Sequence, residues 1–178
     1  MWKTELKSIS NTQVPTRGFT LIELIVTLSV AAILMSIAIP NYQTFVMSNR
    51  MSSQANNLIT AFGLARSEAV KRALNVTVCA SSDRLTCVGG WADGWIVRDA
   101  GGVIRVQQAQ GGATTLTGGA DVASAITFTS DGRTTIPTTA TATTTTLKLC
   151  PPSPYIVKGR AIQIERTGRP SVAQVTCP

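Results

Sequence analysis

Arg17-Gly18-Phe19-Thr20-Leu21-Ile22-Glu23-Leu24 opens the stretch that decides how this chain folds. From Phe19 to Ile39 the sequence runs for 21 residues with one charge, Glu23. About 20 apolar helical residues rise roughly 30 Å, the thickness of a bilayer's hydrocarbon core. Lys3, Lys7 and Arg17 stand before the run against a single acid, Glu5. The positive-inside rule therefore leaves the leader in the cytoplasm and sends the rest of the chain outward. A secretory signal would carry a shorter apolar core followed by a small-residue cleavage site, and neither is present here. A plain signal anchor is the competing reading.

Two details count against a plain anchor. An acidic side chain at membrane depth costs on the order of 2.5–3.5 kcal/mol, so Glu23 calls for a partner. Its chain neighbours are apolar or hydroxyl-bearing, which places that partner on another molecule. Gly18 stands where the polar leader meets the apolar run, and a glycine there leaves the backbone open to a processing enzyme.

Downstream, Met51, Ala55, Leu58, Phe62, Ala65, Ala69 and Ala73 recur at steps of three or four. That spacing predicts a narrow apolar stripe on a helix continuing to about Leu74, with Arg50, Arg66, Lys71 and Arg72 mostly off it. Glu68 and Arg72 stand at i,i+4, a spacing that favours an ion pair. Pro40 lacks an amide hydrogen, and its ring crowds the carbonyl of Ser36, so the helix is expected to loosen there.

Beyond Leu74 the pattern shortens to strands. Asn75–Ala80, Gly94–Arg98, Val103–Gln107, Ala125–Thr129, Thr143–Leu149, Ala161–Glu165 and Val172–Val175 are the candidates, separated by Asp99-Ala100-Gly101-Gly102, Asp131-Gly132, Lys158-Gly159 and Thr167-Gly168. Short connections of this kind favour antiparallel pairing. Trp91 and Trp95 are read as core area in preference to an aromatic ligand platform. Thr134 to Thr146 holds nine threonines in thirteen residues and reads as an exposed loop entering an edge strand.

Cys79, Cys87, Cys150 and Cys177 all follow the apolar run, and none of their gaps is a C-x-x-C. An even count beyond a membrane anchor reads as two disulfides in an oxidising compartment. Of the three connectivities four cysteines allow, we take Cys79–Cys87 and Cys150–Cys177, each joining neighbours in its own half.

The chain has no histidine, which excludes His-based general-base catalysis and imidazole metal sites. No paired-carboxylate motif, phosphate-binding glycine loop or metal-ligand spacing is present, so neither an enzymatic role nor a cofactor or metal is expected. From Asn41 onward thirteen Lys/Arg face seven Asp/Glu, a surplus that suits anionic partners such as nucleic acid, lipid headgroups or acidic proteins without choosing among them.

The segment Arg17–Leu24, with Pro40 in Ile39-Pro40-Asn41-Tyr42, resembles the leader junction of type IV pilins and type II secretion pseudopilins. The resemblance implies cleavage after Gly18 by a prepilin peptidase and N-methylation of Phe19. It also implies an assembly role for Glu23 and Pro40, in which Glu23 meets the ammonium of an adjacent subunit's Phe19. Such a contact sets register strongly in a low dielectric. Ala65-Arg66-Ser67-Glu68-Ala69-Val70-Lys71-Arg72, Val76-Thr77-Val78-Cys79, Trp91-Ala92-Asp93-Gly94-Trp95-Ile96-Val97 and Thr167-Gly168-Arg169 are similar to the GspH/FimT branch of that superfamily.

The fold so implied is the pilin fold, an α+β class in which a long N-terminal helix packs on a small antiparallel β-rich head. Its expected parts are a cleaved leader (1–18), a transmembrane and assembly helix (19–40), an amphipathic continuation (41–74) and a disulfide-bonded head (75–178). The implied function is a minor pilin or pseudopilin of the bacterial inner membrane, with its head in the periplasm and other pilins as partners. Some members of the branch take up DNA through a Gly-Arg-x-Arg motif. Here the matching stretch is Gly168-Arg169-Pro170-Ser171, without the second arginine. Lys158, Arg160, Arg166 and Arg169 are the residues that could contact DNA phosphates in this alternative.

Overall fold

A single helix, α1, runs from Leu21 to Arg72. The computed structural model describes residues 18–109, 111, 114–119, 122, 124–135 and 144–177. The leader, apart from Gly18, and most of the threonine-rich stretch lie outside the described residues. The chain divides into two units, Met1–Pro40 and Asn41–Pro178, and α1 contributes to both.

In the first unit, α1 begins with a cap that the sequence reading overlooked. The Thr20 hydroxyl accepts the Glu23 N–H at 3.3 Å, and the Thr20 carbonyl accepts the Leu24 N–H at 3.2 Å. Thr-x-x-Glu is the signature of a helix N-terminus, and the acid in the first turn also faces the positive end of the helix dipole. Farther along, the hydroxyls of Thr27, Ser29 and Ser36 donate back to the carbonyls of Leu24, Ile25 and Ile33 at 2.9, 2.8 and 2.7 Å. Each polar hydrogen is thereby consumed within the helix, a requirement of hydrocarbon surroundings.

In the second unit, α1 buries Met47, Met51, Gln54, Ala55, Leu58, Ala61, Phe62, Ala65 and Ala69. The stripe is wider than the expected one, gaining Met47, Gln54 and Ala61. Gln54 is tolerated because its side-chain oxygen accepts the Thr114 hydroxyl at 2.9 Å. Ala73 does not belong to the stripe. It is exposed, with a φ of 54°, and it ends the helix. Leu74 N–H bonds to the Ala69 carbonyl and Ala73 N–H to the Val70 carbonyl, which is a Schellman closure with alanine where glycine is usual.

Among the described residues nine strands follow: β1 (Val76–Ala80), β2 (Gly94–Asp99), β3 (Gly102–Gln108), β4 (Thr115–Gly118), β5 (Ala125–Phe128), β6 (Thr134–Thr135), β7 (Thr144–Cys150), β8 (Gly159–Glu165) and β9 (Pro170–Val175). A 3₁₀ turn at Trp91–Asp93 leads into β2. They form a five-stranded sheet ordered β3-β2-β1-β5-β6 and a four-stranded sheet ordered β4-β7-β8-β9, with every pairing antiparallel. The architecture is α+β, one long helix with antiparallel sheets.

One strand position differs from expectation. The threonine-rich segment was expected to enter an edge strand, yet β7 lies inside its sheet between β4 and β8. The cause is β4, whose only aliphatic residue, Leu116, leaves too faint an alternation to announce a strand.

The helix stripe and both sheets share one core, which includes Phe62, Phe128, Leu147, Ile162 and Ile164. Phe62 and Phe128 meet with ring centroids 6.3 Å apart and a tilt of 41°. Trp91 and Trp95 are buried in the same core, and the Trp91 indole N–H donates to the Val122 carbonyl at 3.2 Å. Cys79 is joined to Cys87, closing the Ala80–Thr86 loop, and Cys150 to Cys177, tying the end of β7 to the chain beyond β9.

Candidate assembly helix and basic surfaces

The apolar segment of α1 has large side chains and no cover. Phe19 is 84% exposed, and Leu21, Ile22, Leu28, Ile33, Leu34 and Ile37 are exposed as well. Among the described residues this is the one helix long and apolar enough to cross a membrane. A contiguous apolar face of this size marks a surface that meets lipid or another protein. Glu23 lies in its first turn, and among the described residues no cation pairs with its carboxylate. Gly18 and Phe19 precede the helix and are exposed. Pro40 lies within α1, where the division between the two units falls.

At the other end of α1, Arg72 donates to Glu68 and, at 3.0 Å, to Asp99 at the close of β2. Asp99 also accepts the N–H groups of Gly101 and Gly102 at 2.7 and 3.1 Å. The sequence reading treated Asp99 as a turn residue only; the structure makes it the tie between helix end and β2–β3 hairpin. In the loop closed by Cys79–Cys87, the Asp83 carboxylate accepts from Ser81, Leu85 and Thr86. These bonds, led by the Thr86 hydroxyl, hold the Asp83 carboxyl well below the usual range.

The four basic residues singled out for DNA do not converge. Lys158 and Arg160 sit at the start of β8, whereas Arg166 and Arg169 flank the turn that follows it. Five strand residues, Ala161 to Glu165, separate Arg160 from Arg166, roughly 20 Å of extended chain. Arg160 also reaches across to α1, donating to the Ser52 hydroxyl at 3.2 Å and to the Lys158 carbonyl at 3.1 Å.

The turn at Arg166-Thr167-Gly168 meets a second turn of the same form at Ser130-Asp131-Gly132. Gly132 and Gly168 both have a φ of 77°, and the N–H groups of Gly132 and Gly168 donate to the Thr129 and Glu165 carbonyls at 2.8 and 2.9 Å. A Cβ on Gly168 would intrude on the Gly132 carbonyl oxygen and come within 3.4 Å of the Arg66 Nε. Arg66, Arg133, Arg166 and Arg169 therefore surround two apposed turns, and all four are exposed. The acids there are engaged locally. Asp131 accepts from Thr129 and the Arg133 N–H, and Glu165 accepts the Thr167 hydroxyl. Sequence reading missed Arg66 and Arg133 because only the fold brings them to the Gly168 turn.

Comparison with known families places this geometry. The family described as type II transport protein GspH matches residues 54–168, and the prokaryotic N-terminal methylation motif matches residues 15–39. The chain belongs to the GspH family. Two crystal structures of the type IV minor pilin FimU of Pseudomonas aeruginosa resemble it in fold. One is 23% identical, covering 68% of this chain and 91% of FimU, with a TM-score of 0.51. The other is 21% identical, covering 72% and 92%, with a TM-score of 0.52. No curated protein matches the chain. The fold of this GspH-family chain is thus the pilin fold, and its N-terminal helix carries the superfamily's methylation motif. Membership makes it a pilin-like subunit of a structural family, and the uncovered apolar helix fits inner-membrane anchoring.

Proposed function

We propose that this GspH-family chain is a non-enzymatic minor pilin or pseudopilin that joins or primes a type IV pilus or a type II secretion pseudopilus. It waits in the inner membrane through the Phe19–Ile39 segment, its N-terminus in the cytoplasm and its disulfide-bonded head in the periplasm. Prepilin peptidase cuts after Gly18, and Phe19 becomes the N-methylated terminus. In the filament the Phe19 ammonium of one subunit neutralises Glu23 of its neighbour, removing the cost of a lone carboxylate at membrane depth. Pro40 withholds one helix hydrogen bond and allows the segment to adapt as lipid contacts are exchanged for helix contacts.

The observation that carries this reading is an uncovered apolar helix with one unpartnered acid in its first turn. The test is the intact mass of the protein recovered from cell membranes. A polypeptide beginning at methylated Phe19 is expected; one still beginning at Met1 would refute it.

A second reading, DNA capture during uptake, is favoured by the gathering of Arg66, Arg133, Arg166 and Arg169 around the two turns. It predicts salt-sensitive duplex binding that Arg166→Ala with Arg169→Ala abolishes. A parent chain that fails to shift duplex DNA at near-physiological salt would exclude it, and a double variant that binds as well as the parent would exclude these arginines as the site.

A further inference from the structure

The opposite end of β8 carries a surface that neither reading uses. Its residues come from the start of the head's helix and from the Pro151–Lys158 loop between β7 and β8. Tyr155 lines a cleft with Tyr42, Gln43, Val46, Met47 and Arg50, which holds the loop against the first turns of the second unit. Beyond Tyr155 the loop presents Ile156, 98% exposed, and on the helix Tyr42 and Phe45 are 69% and 63% exposed. A hollow of about 540 Å³ separates the loop from Thr176 and Cys177, so the loop stands off the body of the head.

Charge sharpens the picture. Arg50 and Lys158 are exposed here, and Arg160 is drawn beside them by its bond to Ser52. No acid occurs from Leu24 to Ser67 or from Cys150 to Ile164. Among the described residues no carboxylate pairs with any of these three cations. The surface therefore combines aromatic and aliphatic side chains with uncompensated positive charge. Connectivity constrains its Tyr42 edge. Tyr42 is three residues beyond Ile39, so it stays within about 11 Å of the end of the apolar run by any path. Aromatic residues settle at the headgroup level of a bilayer, and juxtamembrane cations are attracted to anionic lipid.

We propose that this end of the head is a second lipid contact, in which Tyr42, Phe45 and Ile156 enter the bilayer interface while Arg50, Lys158 and Arg160 meet anionic headgroups. The inference rests on the reading of Phe19–Ile39 as a membrane segment. The contact steadies the head on the membrane before assembly and is given up when the subunit enters a filament. It gives Lys158 and Arg160 a phosphate partner other than DNA.

The test uses the full chain in nanodiscs of phosphatidylcholine and phosphatidylglycerol, with and without brominated lipid. Ile156→Trp reports the loop, and Leu28→Trp in the same membrane reports the helix. Because Ile156 is exposed, its substitution leaves the core untouched. Both added emissions are expected to be quenched by brominated lipid, and Ile156→Trp is expected to lose that quenching when Arg50→Glu and Lys158→Glu are added. Quenching of Leu28→Trp alone, with Ile156→Trp emitting as in water, would overturn the loop contact and leave the anchor standing. A blue-shifted but unquenched Ile156→Trp would place a protein partner there and equally overturn it. Quenching that ignores the charge reversals would overturn the headgroup assignment. If neither tryptophan is quenched, the membrane segment itself fails, and this inference with it.

Discussion

The two halves of α1 have the same backbone and opposite surroundings. Between Met47 and Ala69 the helix buries nine side chains, and Met51, Leu58, Ala65 and Phe62 lose essentially all their exposure. Between Phe19 and Phe45 it carries even more apolar bulk, and every large hydrophobic is exposed. The downstream half has found its partners in the head. The large hydrophobics of the upstream half stay exposed, a face that fits lipid or other subunits. Hydrogen bonding draws the same contrast. The buried Gln54 is answered by Thr114 from another element, whereas Thr27, Ser29 and Ser36 answer only to their own helix. One rule governs both halves: a helix buries polar groups only where a partner exists. Glu23, exposed in the first turn, has no pairing cation among the described residues.

That contrast can be broken by substitution on either side of Pro40. Phe62→Ala empties the centre of the head and is expected to cost about 3–5 kcal/mol of head stability. Leu28→Ala, an equally apolar position upstream, is expected to leave the head's unfolding midpoint unchanged. Chemical denaturation of the full chain in detergent micelles checks both, and equal effects would dissolve the distinction between the halves. Gly168→Ala comes next. It forces a side chain into the left-handed region and against the Gly132 carbonyl, so a loss of more than about 2 kcal/mol is expected in the same assay. The smallest effect has the opposite sign. Ala73→Gly relieves the positive φ at the helix end and is expected to stabilise the head by about 0.5–1 kcal/mol, net of the extra freedom of the unfolded glycine.

How much of this was legible beforehand depended on how far apart the cooperating residues lie. The apolar run, the helical stripe and most strands depend on spacing within a dozen residues and could be read directly. β4 and β6 could not, because Thr115–Gly118 and Thr134–Thr135 are strands only by virtue of the neighbours they pair with. Thr20 was a different omission. Its signal, threonine three residues before Glu23, is local but stands inside the apolar run, whose hydropathy is the stronger pattern. The helix stops at Arg72, two residues short of the expected Leu74, because Ala73 takes the left-handed position where glycine would have marked the stop. The basic surfaces were the least legible. Lys158, Arg160, Arg166 and Arg169 form a single cluster on paper, and the five strand residues Ala161 to Glu165 divide them into two. Arg66 and Arg133 join one group, and Arg50 the other, through tertiary packing alone.

The central claim is that Glu23 is left unpartnered in the subunit so that it can be partnered in the filament. Its most direct test is the fraction of Glu23→Ala chain recovered with sheared filaments, measured beside the fraction with a processed N-terminus. Normal processing with little or no incorporation is the predicted result. Incorporation at the level of the parent chain would contradict the claim.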